Sequence, residues 1–437
     1  MSELSPLFET APSAVDSLPA FLAQPRKDGW ARQRELAMPS ARDQDWRFAG
    51  GKKRDFSPFS AATTVDAKTA KELLERTDGI DGAIQLVFAN GQCISAPTLP
   101  EAAVQAGLIC SPIADAKELP ASIEAALAHA PRCLGGEKFA NLHQAHLGTG
   151  GGLVLSLPKG LELEAPIEVV HWISGEGASI FPRTVIHAGE GSSATVVERI
   201  LSDGETEAGF SCSALQIDAP ANARIGHVLV ETLGRPSKAI HFANHEAGRD
   251  SDVKACILAL GGDWFRSESV ARMTAEGANC DMLSVALSSR EQEFDQRTLQ
   301  HHLAPRATSD LLFKHALYDK SRTIFSGLIQ VDEGAHYTDA FQTCRNLLLS
   351  DEAEANAMPG LEINADQVKC SHGSTTARIS EEEIFYLRAR GVRPEAARKL
   401  VLLGFTREVI DRIGNDAVIE KLAEAIEGKF VRVGEGE

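Results

Sequence analysis

The sequence predicts a mainly-β chain: a right-handed parallel β-helix core, residues 141–376, flanked by an N-terminal mainly helical domain, 1–140, and a C-terminal helical domain, 377–437. Three observations predict this fold class. From about residue 150 the apolar residues recur at every second position, which is typical of strands. Small residues recur within that region at a nearly constant step. After residue 380 the apolar spacing becomes helical.

The N-terminal region predicts short helices separated by prolines. Residues 83–88 predict a strand, and Asn90-Gly91 after it is a strong hairpin-turn signal. Apolar spacing and composition predict helices at 18–24, 30–38, 65–76 and, in an Ala-rich stretch, 99–130.

The core is predicted from an internal repeat. A small residue opens an alternating strand at steps of 27 to 30 residues, and each follows a turn cluster such as Gly189-Glu190-Gly191. A fixed step of this size in a strand-rich chain indicates the stacked coils of a solenoid, in which each coil buries its inward residues on its neighbours. The repeat positions are Ala165, Ala194, Ala223, Ser251, Ala278, Ala307, Ala335 and Ala365.

The last 57 residues predict a helical appendage of four short helices. Ser380 and Glu383 form a capping box for the first helix. Pro394 suits the first turn of the second, which Gly404 is expected to close. Most of the apolar residues here are expected to form the core of the appendage, and the rest a docking surface.

Composition excludes several classes of function. The net charge of −17 disfavours binding to nucleic acid or to anionic membrane surfaces. There is no apolar run long enough to span a membrane, and the opening Met1-Ser2-Glu3-Leu4 does not resemble a signal segment. The eight cysteines contain no CxxC pair, so we expect reduced thiols and a cytoplasmic location.

Nucleotide-binding motifs are absent or out of context. The chain has no GxxxxGK[ST] sequence. A GxGxxA pattern occurs at 189–194, but strand-like Thr195-Val196-Val197 follows it where a dinucleotide fold needs a helix. We therefore interpret it as a β-turn.

Two histidine pairs are weak metal candidates. His143 and His146 are three residues apart, and His301 and His302 are adjacent. Neither pair has a carboxylate or thiol at a supporting spacing.

Cys370-Ser371-His372 is the stronger candidate. Residues i and i+2 of a strand face the same side, so the thiol and the imidazole would lie side by side. This ligand pair suits iron, copper or zinc. Two ligands do not close a site, so others must come from elsewhere in the fold or from a partner. A buried thiol beside a surface histidine is the alternative.

At this segment the sequence resembles a known family. The stretches 368–376 and 381–392 are similar to the C-terminal signature of the SufB/SufD family, and the resemblance extends over about 135–410. The SufD branch is favoured by Asp45-Trp46-Arg47-Phe48, by the Cys-Ser-His-Gly motif, and by Ala353, which stands where SufB carries a cysteine. The stretch 374–378 is closer to SufB.

The resemblance implies a non-enzymatic scaffold subunit of a cytoplasmic iron–sulfur cluster assembly complex. The β-helix would form a heterodimer with a SufB-like paralogue, where His372 and Cys370 would lie at the interface and support iron acquisition. No cofactor is expected to bind the isolated chain stably, and iron or a nascent cluster would be held transiently in the complex. The C-terminal helices would bind a SufC-like ATPase, with the candidate residues Ile384, Phe385, Leu387, Leu400, Leu403 and Phe405.

Two other functions stay open at this point. A β-solenoid enzyme, such as one acting on carbohydrate, would need paired carboxylates or a set of Lys and Arg residues on one solenoid face. Glu162 and Glu164 share that alternation, as residues of any solvated face would, and aromatic residues are scarce. A SufB-like homo-oligomeric scaffold would act without a paralogue. Homodimerisation of the isolated chain is likewise left open by the sequence.

Overall fold

The computed structural model describes residues 5–12, 17–49, 54–116 and 118–434, so the opening Met1-Ser2-Glu3-Leu4 segment lies outside it. No helix in these ranges is long and apolar enough to cross a membrane. The helices are α1 Pro6–Glu9, α2 Ala23–Glu35, α3 Ala67–Arg76, α4 Glu101–Gln105, α5 Ala121–Leu127, α6 Glu137–Ala145, α7 Glu381–Ala389, α8 Pro394–Ile410 and α9 Asp416–Gly434.

Of the strands in the described residues, four precede α6 and seventeen fill most of the region between α6 and α7. They are β1 Ser60–Ala61, β2 Ile84–Ala89, β3 Gln92–Ser95, β4 Ile109–Pro112, β5 Leu153–Ser156, β6 Ile167–Ile173, β7 Ala178–Ile180, β8 Arg183–His187, β9 Ser193–Ser202, β10 Gly209–Ala219, β11 Arg224–Thr232, β12 Lys238–Ala247, β13 Asp252–Ala259, β14 Trp264–Met273, β15 Asn279–Ser288, β16 Glu293–His302, β17 Thr308–Leu317, β18 Arg322–Val331, β19 Asp339–Leu348, β20 Glu354–Ile363 and β21 Lys369–Arg378.

The core is a parallel β-solenoid of about eight coils, which confirms the predicted fold class. Successive strands alternate between two sheets. Sheet 1 runs through the even-numbered strands β8 to β20, and sheet 2 through the odd-numbered strands β9 to β21. Each strand therefore pairs in parallel with the strand one coil away, and inward side chains of the two sheets meet in a shared core.

The register refines the predicted repeat. Ala223, Ser251, Ala278 and Ala307 hold equivalent positions in successive coils of sheet 2. Ala194, however, pairs with Ile225, so that coil is two residues longer than the step from Ala194 to Ala223 suggested. Thr338, and not Ala335, is the equivalent of Ala307, because the turn before β19 carries three extra residues.

Corner geometry explains why the repeat residue is small. Asn222, Asp250, Gly277 and Arg306 each precede a repeat position, and all have positive φ, from 53° to 74°. A left-handed residue turns the chain sharply into the next strand. The following side chain then points into the crowded corner of the coil, where the repeat residues are buried.

The N-terminal end of the solenoid is capped by the chain itself. β2 pairs in parallel with β6, and β3 returns antiparallel along its outer edge. Asn90 and Gly91 both have positive φ, which confirms the predicted hairpin turn. β4 pairs antiparallel with β5 at the edge of sheet 1. The prediction of helix throughout 99–130 was wrong at β4, where sheet pairing overrides the helix propensity of alanine-rich sequence.

Helices α2 and α6 cover part of the outer face of sheet 1. Phe139 of α6 packs with Phe210 and Phe242 of that sheet. The two helices approach closely at Gly29, where a Cβ would come within 2.7 Å of Gln144. This close approach requires glycine at position 29.

Trp46 fixes the N-terminal segment that precedes α6 to the outer face of sheet 1. Trp46 is buried, and its indole N–H donates to the Gly135 carbonyl at 2.7 Å. The Arg266 guanidinium lies 3.9 Å from the Trp46 ring centroid and pairs with the buried carboxylates of Glu268 and Asp295. Trp46 of the Asp-Trp-Arg-aromatic motif thus anchors this segment on three buried charged side chains, while its neighbours Asp45 and Arg47 are exposed.

The C-terminal helices differ from the predicted appendage in two ways. The described residues form three α-helices and not four, because α8 continues through Gly404. Leu402 and Val409, on either side of Gly404, are buried against the outer face of sheet 2, and this packing holds the helix together. The apolar residues of α8 and α9 therefore share a core with the solenoid instead of forming a separate one.

Candidate functional site

The C-terminal end of the solenoid is open. In the part of the chain that the structure describes, no strand pairs with the outer edge of β20 or β21. Both strands are ten residues long, and most of their side chains are exposed or only partly buried. The last coil is therefore a pair of bare edges next to an uncovered inner face.

Cys370 and His372 lie on that inner face. In the register of β19 and β21, they are the partners of Ala340 and Gln342, which are buried inside the solenoid. Because residues two apart on a strand face the same side, the thiol and the imidazole lie side by side, about 6.6 Å apart at their Cα atoms.

The two side chains have different surroundings. Cys370 is partly buried and packs with Ile329, Val331 and Ala340. Burial and the nearby Asp339 carboxylate raise the pKa of the Cys370 thiol, so the thiolate that binds metals is disfavoured. His372 is exposed. Of the two, His372 is the more available metal ligand.

The described residues do not complete a metal site. Within these ranges, no three His, Cys, Asp or Glu side chains are grouped closely enough to hold a metal ion. A metal ion bound at His372 would therefore need ligands from outside these residues.

Apolar side chains border the pair. Leu361 and Ile363 of β20 are 36% and 39% exposed, although their register partners Ile329 and Val331 one coil earlier are completely buried. The last coil thus presents side chains that would be core residues if another coil followed. An exposed apolar surface of this kind marks an interaction site.

Two residues separate β21 from helix α7, which carries the most exposed of the predicted docking residues. Phe385 is 71% exposed, and Leu400 of α8 is 51% exposed. Ile384 is buried, and Leu387 is partly buried.

The last two predicted docking residues belong to the solenoid contact. Leu403 and Phe405 pack partly buried against the outer core of sheet 2. The Lys314 ammonium lies 4.8 Å from the Phe405 ring centroid. Phe385 and Leu400 are therefore the members of the predicted set that are mostly or about half exposed.

The weaker metal candidates serve the fold. His143 is buried and contacts the Pro182 carbonyl at 3.0 Å, while the ring of His146 stacks on that of Phe181. His301 and His302 are engaged with different groups, Asp332 and Ser309 respectively.

The two carboxylates considered for an enzyme lie on the surface of the protein. Glu162 forms an exposed ion pair with Arg224 at 2.7 Å. Glu164 lies exposed in the same surface segment. Neither carboxylate lies in a buried cleft of the described residues, where a general acid or base is normally found.

Sequence reasoning missed three groups at the open end. Gln342 is a buried amide whose register partner is His372. Its signal in the sequence was a polar residue two positions before Cys344, where the alternation of the strand predicts an inward side chain. Leu361 and Ile363 were visible as an alternating pair, but nothing in the sequence shows that the solenoid stops there. Tyr386 is exposed next to Phe385 on α7.

Fold and site together define a class of protein: a parallel β-solenoid with one capped end and one open end that presents an imidazole and a thiol. The family model for the SUF system FeS cluster assembly, SufBD core domain, matches residues 171–405, more than half of the chain. The chain belongs to this family, which is implicated in iron–sulfur cluster assembly.

Known relatives agree. The iron-sulfur cluster assembly protein SufD of Escherichia coli (strain K12) is 27% identical over 395 residues, which cover 89% of this chain and 88% of that protein. SufD of Bacillus subtilis (strain 168) is 27% identical over 296 residues, 67% of each chain. An iron-sulfur cluster assembly SufBD family protein of Mycobacterium leprae is 33% identical over 198 residues, 43% of this chain and 50% of that protein. The chain is therefore similar to SufD-like members of the family.

Proposed function

We propose that this chain is a non-enzymatic, SufD-like scaffold subunit in the cytoplasm, and that its open end docks onto a SufB-like paralogue to assemble an iron–sulfur cluster. One observation carries the proposal. The last coil combines two bare ten-residue edges with an exposed apolar face and a metal-ligand pair.

The open end has the features of a protein interface. Unpaired strand edges offer rows of backbone donors and acceptors to another chain, and a partner can extend the sheet. Burying Leu361 and Ile363 would add the hydrophobic contribution that such an interface needs. A paralogue fits better than a second copy, because it can bring metal ligands other than those that the described residues offer.

The chemistry at the junction follows from the ligand types. A neutral imidazole at His372 can bind iron directly, and the partner would complete the coordination. The Cys370 thiol must lose a proton before it can bind, and its raised pKa opposes this. We assign His372 as the iron ligand and Cys370 as a neighbour with a secondary role. Iron and the nascent cluster are here the cargo of the complex, held transiently.

The C-terminal helices are proposed to bind a SufC-like ATPase. Phe385 and Leu400 are the apolar side chains available to it. α8 is fixed to sheet 2, since the Lys314 ammonium donates to the Phe405 carbonyl at 2.7 Å, and Arg412, two residues after the end of α8, pairs with Asp310 at 2.6 Å. Because α7 directly follows β21, movement of α7 on the ATPase would be transmitted to the strand that carries His372.

The proposal is tested with His372→Ala in the reconstituted complex. We expect the complex to form as before and cluster assembly to fall strongly, because the substitution removes a ligand without touching the apolar face. The matched control is His129→Ala, since His129 is also exposed but belongs to the N-terminal region. Normal cluster formation by His372→Ala would overturn the site. A chain that binds neither paralogue nor ATPase would overturn the function.

A further inference from the structure

Gln342 forms the last buried polar layer beneath the open end. It lies on β19 as the register partner of His372 and is buried. Its side chain extends across the solenoid toward Gly327 of β18, where a Cβ would come within 2.3 Å of the Gln342 amide nitrogen. The absence of a side chain at position 327 thus leaves room for this amide.

The hydrogen bonds around Gln300 fix which way the Gln342 amide faces. The Gln300 amide nitrogen donates to the Phe341 carbonyl at 3.1 Å, a group that can only accept. The other terminal atom of Gln300 is therefore its oxygen, and it accepts from the Gln342 amide nitrogen at 3.2 Å. The remaining terminal atom of Gln342 must be its oxygen.

That oxygen is left without a partner. It is fully buried among the described residues and accepts no hydrogen bond. Gln300 belongs to the coil before that of Gln342, so the Gln342 amide nitrogen points back into the solenoid. Because the oxygen and the nitrogen of an amide point in different directions from their shared carbon, the oxygen is turned away from Gln300, and the next inward side chain in the register of sheet 2 is that of His372. A buried acceptor with no donor is unfavourable by about 1–3 kcal/mol.

We propose that Gln342 is a positioning residue for His372, and that its amide oxygen accepts a hydrogen bond from a ring N–H of that histidine. The hydrogen bond would hold one tautomer and turn the other ring nitrogen, with its lone pair, toward the open end. Outer partners of this kind commonly orient histidine ligands and raise their basicity. The consequence for iron rests on the function proposed above, whereas the hydrogen bond itself does not.

The hydrogen bond is tested by ¹⁵N NMR of the imidazole rings in the full chain, labelled at histidine and measured at mildly alkaline pH, where the imidazole is neutral. His372 is assigned by difference from His372→Gln. We expect one dominant tautomer in the parent chain. Gln342→Met removes the acceptor at nearly constant volume and should shift the tautomer ratio by about fivefold.

The matched control is Gln296→Met. Gln296 is an equally buried inward amide, but its partners are Ser284 and His315. We expect it to leave the His372 signals unchanged even where it lowers thermal stability as much as Gln342→Met. Equal tautomer ratios in the parent and Gln342→Met would overturn the proposal. So would an evenly mixed tautomer in the parent chain, a result that needs no variant to fold.

Cluster assembly in the complex separates this inference from the function. Gln342→Met should slow assembly while still binding the paralogue. If the tautomer shifts but assembly is unaffected, the hydrogen bond stands and its consequence for iron is wrong, whereas His372→Ala tests the function itself.

Discussion

The two ends of the solenoid are built from the same coil but finish differently. At the N-terminal end, the inward residues Leu86 and Phe88 of β2 are no more than 1% exposed. At the C-terminal end, the inward residues Leu361 and Ile363 of β20 are more than a third exposed. Every coil needs a neighbour on each side to bury its inner face, and the described chain supplies one only at the first end.

The strand edges show the same difference. The capping strands β3 and β4 are four residues long and antiparallel to their neighbours. The strands of the open end are ten residues long, parallel and unpaired on one side within the described chain. Soluble proteins normally shorten or cover such edges, so a long bare pair indicates a surface kept for a partner.

The largest expected effect is that of pH on the free energy of unfolding, and it comes from the buried histidines. Burial lowers the pKa of His143, His146, His241 and His245 to about 3, and that of His302 and His315 to about 4. The unfolded chain binds more protons than the folded one below about pH 6.5, so stability is full above that pH and is lost on acidification. Each such histidine can remove up to about 1.4 kcal/mol per pH unit.

Urea unfolding of the isolated chain at a series of pH values measures this slope. His245→Asn should make the slope shallower, because His245 is fully buried. Equal slopes for the parent chain and His245→Asn would contradict the effect of burial on the histidines of the solenoid body.

A substitution that creates a cavity at the capped end is expected to have the next largest effect on the free energy of unfolding. Phe88 is buried and its ring stacks on that of His171 at 5.0 Å. Phe88→Ala should lower the free energy of unfolding by about 3–5 kcal/mol. Ile363→Ala at the open end should cost less than about 1 kcal/mol, since Ile363 is already partly exposed. Similar losses would mean that the open end is packed as tightly as the cap.

A charged residue introduced at the open end should weaken association with the paralogue and not the stability of the chain. Ile363→Asp should reduce affinity for the SufB-like paralogue by about thirtyfold or more, an effect of about 2 kcal/mol typical of interface hot spots. The control is Val104→Asp, an exposed apolar residue near the capped end. Calorimetry that finds both variants equally affected, or neither, would place the interface elsewhere.

The smallest effect is expected on α7. Phe385→Ser should change the free energy of unfolding by no more than about 0.5 kcal/mol, because the side chain is mostly exposed. It should still weaken binding to a SufC-like ATPase by about tenfold. Ile384→Ser, at the buried neighbouring position, is the comparison: it should destabilise the helix as well. Unchanged ATPase affinity in Phe385→Ser would remove α7 from that interface.

The solenoid was predictable because its causes are local. Strand alternation, a left-handed corner residue and a small residue after it recur in every coil, so the chain repeats its own signal. Lengthened turns, such as the one before Thr338, were not predictable, because turn residues tolerate insertion without changing the strand pattern.

The C-terminal helices and the candidate site show more clearly what could not be predicted from the sequence. Gly404 looked like a helix end, but packing of Leu402 and Val409 on sheet 2 keeps α8 continuous. Cys370 and His372 were predicted to face the same side from strand geometry alone. Which coil is the last, and the buried amide of Gln342 beneath it, depend on contacts between residues far apart in the sequence.

The most direct test of the account is a structure of the complex with the SufB-like paralogue, in which the separation between a ring nitrogen of His372 and the nearest thiol of the partner is measured. The account predicts that the partner covers the edges of β20 and β21 and that this separation is about 4 Å or less, so that one metal ion can bind both groups. An open end that stays uncovered in the complex, or a His372 ring too far from the partner's ligands to share a metal ion, would contradict it.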